Sequence, residues 1–458
     1  MRGSFITYMT IDIEGFRKHI EENYSEFGVN KVQEILRLVF EISKRERIPY
    51  EDIFDAAPEN GKEGSHRFMH LKQYLLQRRF PSFSKEERRK HGLFKDLSIE
   101  PEYRASIKKS ERIIPKRFFI EEAVSKTALV DRLRKKFKTA EFASISTYKD
   151  HVKNRVYSLK DFNNRLDEFY IVQEKYDFFI ECPCSNNSVP CGYNTMNLGI
   201  GCGFDCAYCF LQGYINSPGI LIQANIEDYF ACFKRTGKDI RVGTGQFTDS
   251  LVFDHITEYS PLLVEFFRGY PKSIFEFKTK CDNVDLLFTV KPSENIMVSW
   301  TLNPQIIIDN VEFGTNSLEE RLQAAARCVD YGYKVGFHFD PIIVYDKWKD
   351  DYECVVNRLF DLIDDKRIGW ISLGALRMTA KLKQVIENRF PQTNILDGEF
   401  LIGYDEKLRY SQRQRDIIYS TMKSFIRAKS KSVHLYLCME DQGLCSACDI
   451  NTGDMQKV

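Results

Sequence analysis

The stretch that decides both the fold and the chemistry runs from residue 199 to residue 210 and reads Gly-Ile-Gly-Cys-Gly-Phe-Asp-Cys-Ala-Tyr-Cys-Phe. Its cysteines are Cys202, Cys206 and Cys209, spaced C-x3-C-x2-C, and they directly follow a run that is typical of a β-strand. Three thiolates on one loop can bind three irons of a four-iron cubane, which leaves the fourth iron open. The spacing therefore predicts a [4Fe–4S] cluster with one exchangeable position.

The open iron gives this loop a reaction. It can chelate the amino and carboxyl groups of S-adenosylmethionine, and an electron from the cluster then releases a 5′-deoxyadenosyl radical. The alternative is a structural zinc site or a set of core thiols, but zinc sites usually pair one C-x2-C with a second pair elsewhere. The strand before the loop and the aromatic Tyr208 between its last two cysteines favour a radical S-adenosylmethionine protein.

The sequence around the loop predicts an α/β fold in which strands and helices alternate. We predict strands at 196–200, 240–245, 274–279, 296–302, 334–339 and 370–376, and helices at 226–235, 259–267, 284–290, 317–330, 350–363 and 380–390. Six strand–helix units imply a parallel sheet with helices outside, and six are too few for an eight-fold barrel. The prediction is a partial (β/α)6 TIM-type barrel with its chemistry at the carboxyl ends of the strands.

Composition along the chain predicts four regions. Residues 1–110 are charged and have apolar residues at helical spacing, which indicates a helical N-terminal extension without a recognised motif. Residues 111–193 look like an α/β lead-in with a cysteine-rich segment, 194–440 like the partial barrel, and 441–458 like a cysteine-containing tail.

The overall composition bears on location and partners. The chain has 458 residues, 13 cysteines and a formal net charge of +1, so any surface for nucleic acid must be a local patch. The basic run at 132–138 could bind phosphates, or it could be a solvated helical face. We recognise no secretory signal and no run of ~18–20 apolar residues, so we expect a cytoplasmic protein without a membrane partner. Cysteine clusters there indicate metal ligands before disulfides.

Polar residues at the predicted strand ends extend the candidate site. Asp249 and Ser250 follow the second strand and could bind the amine or the ribose of the cofactor. His338 and Asp340 end the fifth strand and point to the same side by alternation. They could orient the substrate or the adenosine, or they could form a hydrogen-bonded pair that closes the barrel.

The chain resembles the spore photoproduct lyase family of radical S-adenosylmethionine proteins in several segments that occur in the same order. They are the cysteine loop with its continuation Leu-Gln, and residues 116–124, 279–284, 313–325, 332–337 and 437–440. The resemblance runs from about residue 115 to residue 439 and leaves out the first ~110 residues. Known members use the deoxyadenosyl radical to abstract hydrogen from a methylene-bridged thymine dimer in DNA, which returns two thymines.

The resemblance implies roles for residues at the strand ends. Lys280, Thr248 and Thr301 match positions that line the cofactor pocket, and Asn303 lies beside them in the sequence. Lys280 would meet the cofactor carboxylate, and the threonine hydroxyls would hydrogen-bond its sugar or carboxylate, unless they only form local turns or caps. The resemblance also implies DNA or another nucleic acid as a partner and an electron donor such as flavodoxin or ferredoxin. It indicates no oligomeric state.

Two departures separate this chain from the dimer-repairing members. Those enzymes carry a cysteine after the second strand that returns a hydrogen atom to the product radical, and here residues 243–250 contain none. Phe210 stands where they have a tyrosine that helps the hydrogen relay, whereas Tyr208 is retained. Cys281 is a candidate substitute donor because a thiol S–H bond is weak; the alternative is a buried apolar cysteine.

Three functions therefore remain open from the sequence. The first is a lyase-like radical enzyme acting on a modified or damaged nucleic-acid base, of the DNA repair type. The second is a radical enzyme with a peptide or small-metabolite substrate. The third is a non-catalytic Fe–S protein that binds nucleic acid.

The remaining clustered cysteines predict a possible auxiliary site. Cys438, Cys445 and Cys448, with Cys191 as a fourth ligand, could hold a second Fe–S cluster or a zinc ion. Cys182 or Cys184 could replace Cys191, and unconnected thiols are the alternative.

Overall fold

A computed structural model describes residues 13–58, 65–90, 97–106, 113–184, 187–236 and 239–452. The chain forms two units, each with its own internal contacts. Unit 1 comprises Met1–Arg104 and Arg377–Ser411, and unit 2 comprises Ala105–Leu376 and Gln412–Val458.

Unit 1 combines N-terminal helices with a segment from late in the chain. Its first part contains the helices Ile13–Asn23, Val29–Glu46, Tyr50–Asp55, Ser65–Arg79 and Lys85–Lys90 and a 3-10 turn at Pro101–Tyr103. Its second part contains the helix Ala380–Arg389 and a small antiparallel sheet of Arg377–Met378, Leu408–Tyr410 and Phe400–Ile402. Apolar residues that recur at helical spacing along Val29–Glu46, such as Ile35, Val39 and Ile42, are buried in its core.

Buried ion pairs join the two parts of unit 1. The Glu41 carboxylate lies 2.9 Å from the Arg79 guanidinium and 2.5 Å from Lys383 Nζ. The Arg37 guanidinium lies 2.6 Å from the Glu387 carboxylate. The sequence predicts two separate regions, an N-terminal extension at 1–110 and a barrel at 194–440. These ion pairs explain why the structure differs from that division. The helix predicted at 380–390 belongs to unit 1, because its inward charges meet partners on the N-terminal helices.

Unit 2 begins with a lead-in sheet of five strands. In spatial order they are Glu141–Ile145, Arg117–Glu121, Glu168–Val172, Ile220–Gln223 and Gly199–Ile200, and all pairs are parallel except the last. The helices Ala128–Lys136, Tyr148–Val152 and Leu159–Asn163 connect its first three strands.

The second sheet of unit 2 has eight strands, which we number β1 to β8. They are β1 Ile180–Glu181, β2 Tyr193–Thr195, β3 Arg241–Gly243, β4 Ile274–Thr279, β5 Ile296–Thr301, β6 Lys334–Ile342, β7 Ile368–Ala375 and β8 Leu435–Leu437. Their order in the sheet is their order in the chain, and every pair is parallel except β1–β2.

The eight-stranded sheet is curled. The Arg241 guanidinium on β3 donates to the Tyr436 hydroxyl on β8 over 3.0 Å, although four strands separate β3 from β8 in the sheet. The crossover helices of this sheet are Ile226–Thr236, Tyr259–Arg268, Gln305–Val311, Leu318–Tyr331, Trp348–Leu362 and Gln412–Lys429. Shorter helices lie at Leu211–Tyr214, Asp254–Thr257 and Gln442–Ala447. The predicted α/β partial barrel is confirmed.

Some element predictions differ from the structure. The first barrel strand is β2 at Tyr193–Thr195, and the run predicted at 196–200 contributes Gly199–Ile200 to the lead-in sheet instead. The helix predicted at 284–290 is a 3-10 helix, Asp285–Thr289. The seventh parallel strand, β8, was not predicted, because three buried residues carry too little periodicity. Among the helices described, none combines the length and the apolar character that crossing a membrane requires.

Candidate active site

The cysteine loop leaves the end of the lead-in sheet and is fixed at both ends. Gly201 has φ +103°, a left-handed conformation that glycine adopts without strain, and a Cβ there would stand 2.7 Å from the Ile220 side chain. Asp205–Cys206 pairs with Glu312–Phe313 as a short antiparallel ladder. The Cys209 backbone N–H donates to the Cys206 carbonyl over 2.9 Å, which curls the loop so that its three thiols lie near one another.

The electrostatics of the three thiols are set by burial and by two cations. Burial raises the pKa of Cys206 and Cys209 and raises that of Cys202 to about 12. The positive charge of Lys280 opposes this rise in pKa at Cys206 and Cys209, and Arg165 opposes it at Cys202 and Cys209. Because iron binds the thiolates, cluster assembly must release these protons, and the two cations assist that step. The donor set therefore fits an iron–sulfur cubane.

Arg165 clamps the cysteine loop, and the sequence did not reveal it. Its buried guanidinium donates to the Cys202 carbonyl over 3.0 Å and to the Phe204 carbonyl over 2.6 Å. A third bond, 2.8 Å to the Phe162 carbonyl, fixes the side chain to the lead-in region. A single arginine in a charged stretch carries no periodic or motif signal, so the contact becomes visible only in the fold.

Glu312 is the second residue that the sequence did not reveal. Its buried carboxylate accepts a hydrogen bond from the Tyr208 hydroxyl and another from Asn303 Nδ2 over 2.7 Å. The Arg321 guanidinium lies 2.6 Å away, and its charge with that of Lys280 lowers the pKa of Glu312 against the effect of burial. The carboxylate is therefore ionised, and it joins the cysteine loop to the segment that follows β5.

The loop after β3 is tied to the end of β4 through Asp249. One Asp249 oxygen accepts from the Thr279 hydroxyl over 2.7 Å, and the other accepts from the Lys280 backbone N–H over 2.7 Å. The Ser250 hydroxyl accepts from the Lys278 backbone N–H over 2.9 Å. These predicted cofactor ligands therefore already have protein partners, and they fix the backbone beside Lys280.

Thr248 lies in the loop after β3, and Thr301 and Asn303 lie at and just after the end of β5. The Thr248 hydroxyl donates to the Asp249 carbonyl over 3.3 Å. Thr301 ends β5, is buried, and its carbonyl accepts from Arg321 over 2.9 Å. Asn303 is also buried, and its side-chain carbonyl accepts from the Tyr352 hydroxyl over 2.6 Å.

His338 lies inside the curled sheet, in a buried polar network. Its ring nitrogens are 2.7 Å from the Glu276 carboxylate and 2.6 Å from the Ser372 hydroxyl. Burial lowers the pKa of His338 to about 4, so the ring is neutral at pH 7. The sequence left open a hydrogen-bonded pair of His338 with Asp340. In the structure His338 instead contacts Glu276 on β4 and Ser372 on β7. Asp340 is half-buried, and its carboxylate lies over Gly374, where a Cβ would come within 2.6 Å.

Cys281 is buried and directly follows the end of β4. Only 5% of the residue is exposed, and its sulfur lies 3.0 Å from the Thr279 hydroxyl. Burial raises the pKa of Cys281 well above its usual value, so the side chain stays an S–H thiol at pH 7.

The predicted auxiliary set of Cys191, Cys438, Cys445 and Cys448 is not brought together. The Cys445 sulfur contacts the Thr452 hydroxyl at 3.6 Å, and the Cys448 thiol donates to the Asp416 carboxylate over 3.3 Å. Cys445 lies in the helix Gln442–Ala447 and Cys448 directly follows it, and the printed contacts of both thiols are to these other partners. Across the described ranges, no three His, Cys, Asp or Glu side chains are arranged as ligands of one ion.

Three aromatic rings, two exposed and one half-buried, stand next to the cysteine loop. We call Phe210, Tyr214 and Phe247 the aromatic patch. The rings of Tyr214 and Phe247 are stacked with centroids 5.5 Å apart, and Phe210 lies 6.4 Å from Phe247. Phe210 is 46% exposed and Tyr214 is 67% exposed. The Phe247 carbonyl accepts from the Gly201 backbone N–H over 2.9 Å, so the patch borders the loop itself.

A curled α/β half-barrel with this C-x3-C-x2-C loop defines a radical S-adenosylmethionine protein, which uses a [4Fe–4S] cluster and S-adenosylmethionine. The chain belongs to the spore photoproduct lyase family: the family model described as spore photoproduct lyase matches residues 113–429. The resemblance found in the sequence is thereby confirmed, and the family is one of radical S-adenosylmethionine lyases.

Individual relatives agree with this assignment. The spore photoproduct lyase of Geobacillus sp. is 29% identical over 258 residues, which are 53% of this chain and 75% of the relative. That of Bacillus subtilis is 26% identical over 261 residues, again 53% and 75%.

Solved structures of spore photoproduct lyase share the fold. The enzyme complexed with dinucleoside spore photoproduct has a TM-score of 0.62 and 22% identity, covering 72% of this chain and all 100% of its own. A variant with bound AdoMet and dinucleoside spore photoproduct has a TM-score of 0.61 at 22% identity, with the same coverage.

Proposed function

We propose that this chain is a radical S-adenosylmethionine lyase that acts on a damaged or modified base in nucleic acid, with the bridged thymine dimer of DNA as the first substrate to test. The observation that carries the proposal is the aromatic patch beside the cysteine loop. Flat aromatic rings that are exposed at a catalytic loop suit a substrate made of flat bases, because base–aromatic stacking contributes about 1–3 kcal/mol per base.

In this proposal Cys202, Cys206 and Cys209 hold the cluster. The cluster and S-adenosylmethionine supply a 5′-deoxyadenosyl radical when both are bound. Lys280 offsets the negative charge of the thiolates and meets the cofactor carboxylate, and Asp249 and Ser250 position the backbone around it.

The other cofactor-pocket residues have supporting roles in the same proposal. Thr248, Thr301 and Asn303 line the pocket, as the family resemblance implies. His338 and Asp340 lie on β6, the strand next to β5 in the sheet. In this proposal they support the pocket from inside the barrel, His338 through its contact with Glu276.

A nucleic-acid partner needs a surface for phosphates as well as one for bases. The helix Ala128–Lys136 and the residues after it expose Arg134, Lys135 and Lys138. These side chains are suited to sequence-independent phosphate binding, which weakens steeply with salt. A lesion within a duplex must be flipped out of the base stack to reach a cofactor pocket, and the aromatic patch offers stacking to a flipped base.

Hydrogen return is the step that this chain must perform differently. We propose Cys281 as the donor: one hydrogen atom moves from its S–H to the product radical, the resulting thiyl takes a hydrogen atom from a tyrosine hydroxyl, and that hydroxyl is restored by a hydrogen atom from the methyl group of 5′-deoxyadenosine, which regenerates the 5′-deoxyadenosyl radical. Tyr208, on the cysteine loop, is proposed as the relay. The raised pKa of Cys281 supports this role because only the protonated thiol can give a hydrogen atom.

The missing cysteine after β3 also favours a second candidate, a radical enzyme whose substrate is a peptide or small metabolite. One experiment separates the candidates. The reconstituted enzyme is incubated with dithionite, S-adenosylmethionine and an oligonucleotide carrying a deuterated bridged thymine dimer, with an undamaged oligonucleotide as control. Dithionite replaces the physiological electron donor, which we propose is a flavodoxin or ferredoxin.

We expect deuterium in 5′-deoxyadenosine and two restored thymines. Formation of 5′-deoxyadenosine without deuterium would reject the dimer and favour the second candidate. No 5′-deoxyadenosine under any condition would favour a non-catalytic Fe–S protein. The donor is tested with Cys281→Ala, against Cys328→Ala as a second buried cysteine of unit 2. Full turnover without abortive adducts in Cys281→Ala would reject Cys281 as the donor.

A further inference from the structure

We propose that Cys182, Cys184, Cys191 and Cys438 form a second metal site, in which four thiolates hold one tetrahedral ion such as Zn²⁺. This set differs from the one predicted from the sequence, because three of its ligands lie between β1 and β2 and only Cys438 follows β8. It lies outside the cysteine loop of the active site, and four protein thiolates would leave its ion no open position.

The first two ligands already have the required spacing. The sulfurs of Cys182 and Cys184 are 3.7 Å apart. Two thiolates at Zn–S distances of about 2.3 Å in a tetrahedron are separated by roughly 3.8 Å. The Cys184 backbone N–H donates to the Cys182 carbonyl over 2.7 Å, so the intervening proline lies in a tight turn that holds both thiols on one side.

The backbone brings the other two cysteines to this turn. The Cys182 N–H donates to the Tyr193 carbonyl over 2.9 Å, which extends the β1–β2 pair and sets Cys182 against the Cys191–Gly192 bend. Cys438 directly follows β8 at the opposite edge. The Val189 N–H donates to the Glu440 carbonyl over 2.9 Å, and this bond joins the segment before β2 to the segment after β8.

Electrostatics agree with this placement. The hydrogen bond with Cys184 and burial raise the pKa of Cys182, and the neighbouring thiols of Cys184, Cys438 and Cys191 raise it further, as like charges do at short range. All four side chains are half-buried. A cluster of four thiol side chains is a ligand set that a soft divalent ion such as Zn²⁺ prefers.

Binding requires Cys191 and Cys438 to move toward the Cys182–Cys184 pair. Since the described residues hold no three ligands already around one point, the ion must draw Cys191 and Cys438 toward the Cys182–Cys184 pair. The metal–thiolate bonds would then connect the end of β1, through Cys182, to the end of β8, through Cys438. β1 and β8 are the two edge strands, and no ladder of backbone hydrogen bonds joins them in the part of the chain that is described.

Metal analysis of the anaerobically purified full chain tests the proposal. We compare the natural chain with C182S/C184S and with C445S/C448S, a matched pair of cysteines that lies elsewhere. We expect C182S/C184S to lose one metal equivalent per chain and C445S/C448S to lose none. Loss of zinc or of a single iron would support the site and identify its ion. An unchanged metal content in C182S/C184S would overturn the proposal.

A second measurement needs no variant and therefore does not depend on a variant folding. The natural chain is alkylated anaerobically with iodoacetamide, with and without a chelator, and each cysteine is quantified by mass spectrometry. We expect the four proposed ligands to be protected until the chelator is added, whereas the exposed Cys354 reacts in both cases. Equal labelling of the four cysteines with and without chelator would contradict the proposal.

Discussion

The Tyr208 hydroxyl donates a hydrogen bond to the ionised Glu312 carboxylate. Tyr208 lies between the second and third cysteines of the loop, and Glu312 lies in the short ladder that pairs with Asp205–Cys206. The same two segments are therefore joined twice, once by backbone hydrogen bonds and once through side chains. This double connection explains why the loop has one defined shape although its strand is only two residues long.

Removing the Tyr208 hydroxyl should weaken the fold around the loop. In Tyr208→Phe the buried carboxylate loses a donor, which typically costs about 1–3 kcal/mol. Chemical unfolding followed by fluorescence should show the loss as a lower midpoint. Tyr214→Phe is the matched control, because Tyr214 is largely exposed on the adjacent short helix, and its midpoint should hardly move. Equal midpoints for the two variants would contradict this account.

Arg165→Met should make the protein lose its iron–sulfur cluster faster, while unit 2 as a whole stays folded. The Cys202 and Phe204 carbonyls lose their donor, so the loop becomes free to move and the cluster is lost faster. Iron per chain is measured after anaerobic gel filtration at successive times. The half-life of the bound iron should be at least several-fold shorter in Arg165→Met than in the natural chain. Arg155→Met is the control: Arg155 comes from the same region, but its partners Asp161 and Glu168 lie outside the loop. If both variants retain iron equally, Arg165 does not hold the loop.

His338 gives the stability of unit 2 a defined pH dependence. Its folded pKa of about 4 lies below its ordinary value, so the neutral ring contributes stability that is complete above about pH 6.5 and is lost as pH falls toward 4. At pH 5 the loss is about 2 kcal/mol, at roughly 1.4 kcal/mol per pH unit. Asp254 acts in the opposite direction, because burial raises its pKa to about 6 and its protonation stabilises the fold as pH falls.

The comparison of variants isolates the histidine. His338→Gln should reduce the fall in unfolding free energy between pH 7.5 and pH 5 by about 2 kcal/mol, since Asp254 contributes equally to both proteins. Urea unfolding at the two pH values is the measurement. An identical pH dependence in the variant would assign the effect to other groups.

In unit 1, Glu41→Gln should destabilise the packing of the two chain segments. Glu41 is ionised among Arg37, Arg79 and Lys383, and removing one partner of a buried pair typically costs about 3–5 kcal/mol. Hydrogen exchange in the helix Val29–Glu46 should accelerate accordingly. Glu34→Gln on the same helix is the control. Its partly exposed pair with Lys72 should contribute about 1 kcal/mol or less, so its exchange rates should stay near those of the natural chain.

Periodicity and spacing predicted the parts of this protein that repeat. The strand predicted at 274–279 has its observed bounds, because the apolar residues Phe275 and Phe277 alternate with polar ones in the sequence. The cysteine spacing predicts the cluster loop for the same reason: it is a local pattern. The sequence could not reveal Arg165 and Glu312, because each acts through one side chain on a segment far away in the chain.

Local patterns in the sequence could not predict which cysteines lie near one another in the folded chain. The short spacing between Cys445 and Cys448 suggested a shared site with Cys438, whereas the curled sheet brings Cys438 to the segment after β1 instead. Which cysteines meet depends on strand order and curvature, and these are set by packing over the whole unit.

The chain leaves the curled sheet after β7, completes unit 1 between Arg377 and Ser411, and re-enters unit 2 at Gln412. Trimming the gene at its start would therefore take away Glu41 and Arg37, the partners of Lys383 and Glu387 on the helix Val29–Glu46, and leave those two residues only their pair with each other. Excision has to remove both segments and join Leu376 to Gln412. The two segments also differ in their relation to the family, because the family model matches residues 113–429, a range that contains Arg377–Ser411 and leaves out the N-terminal helices.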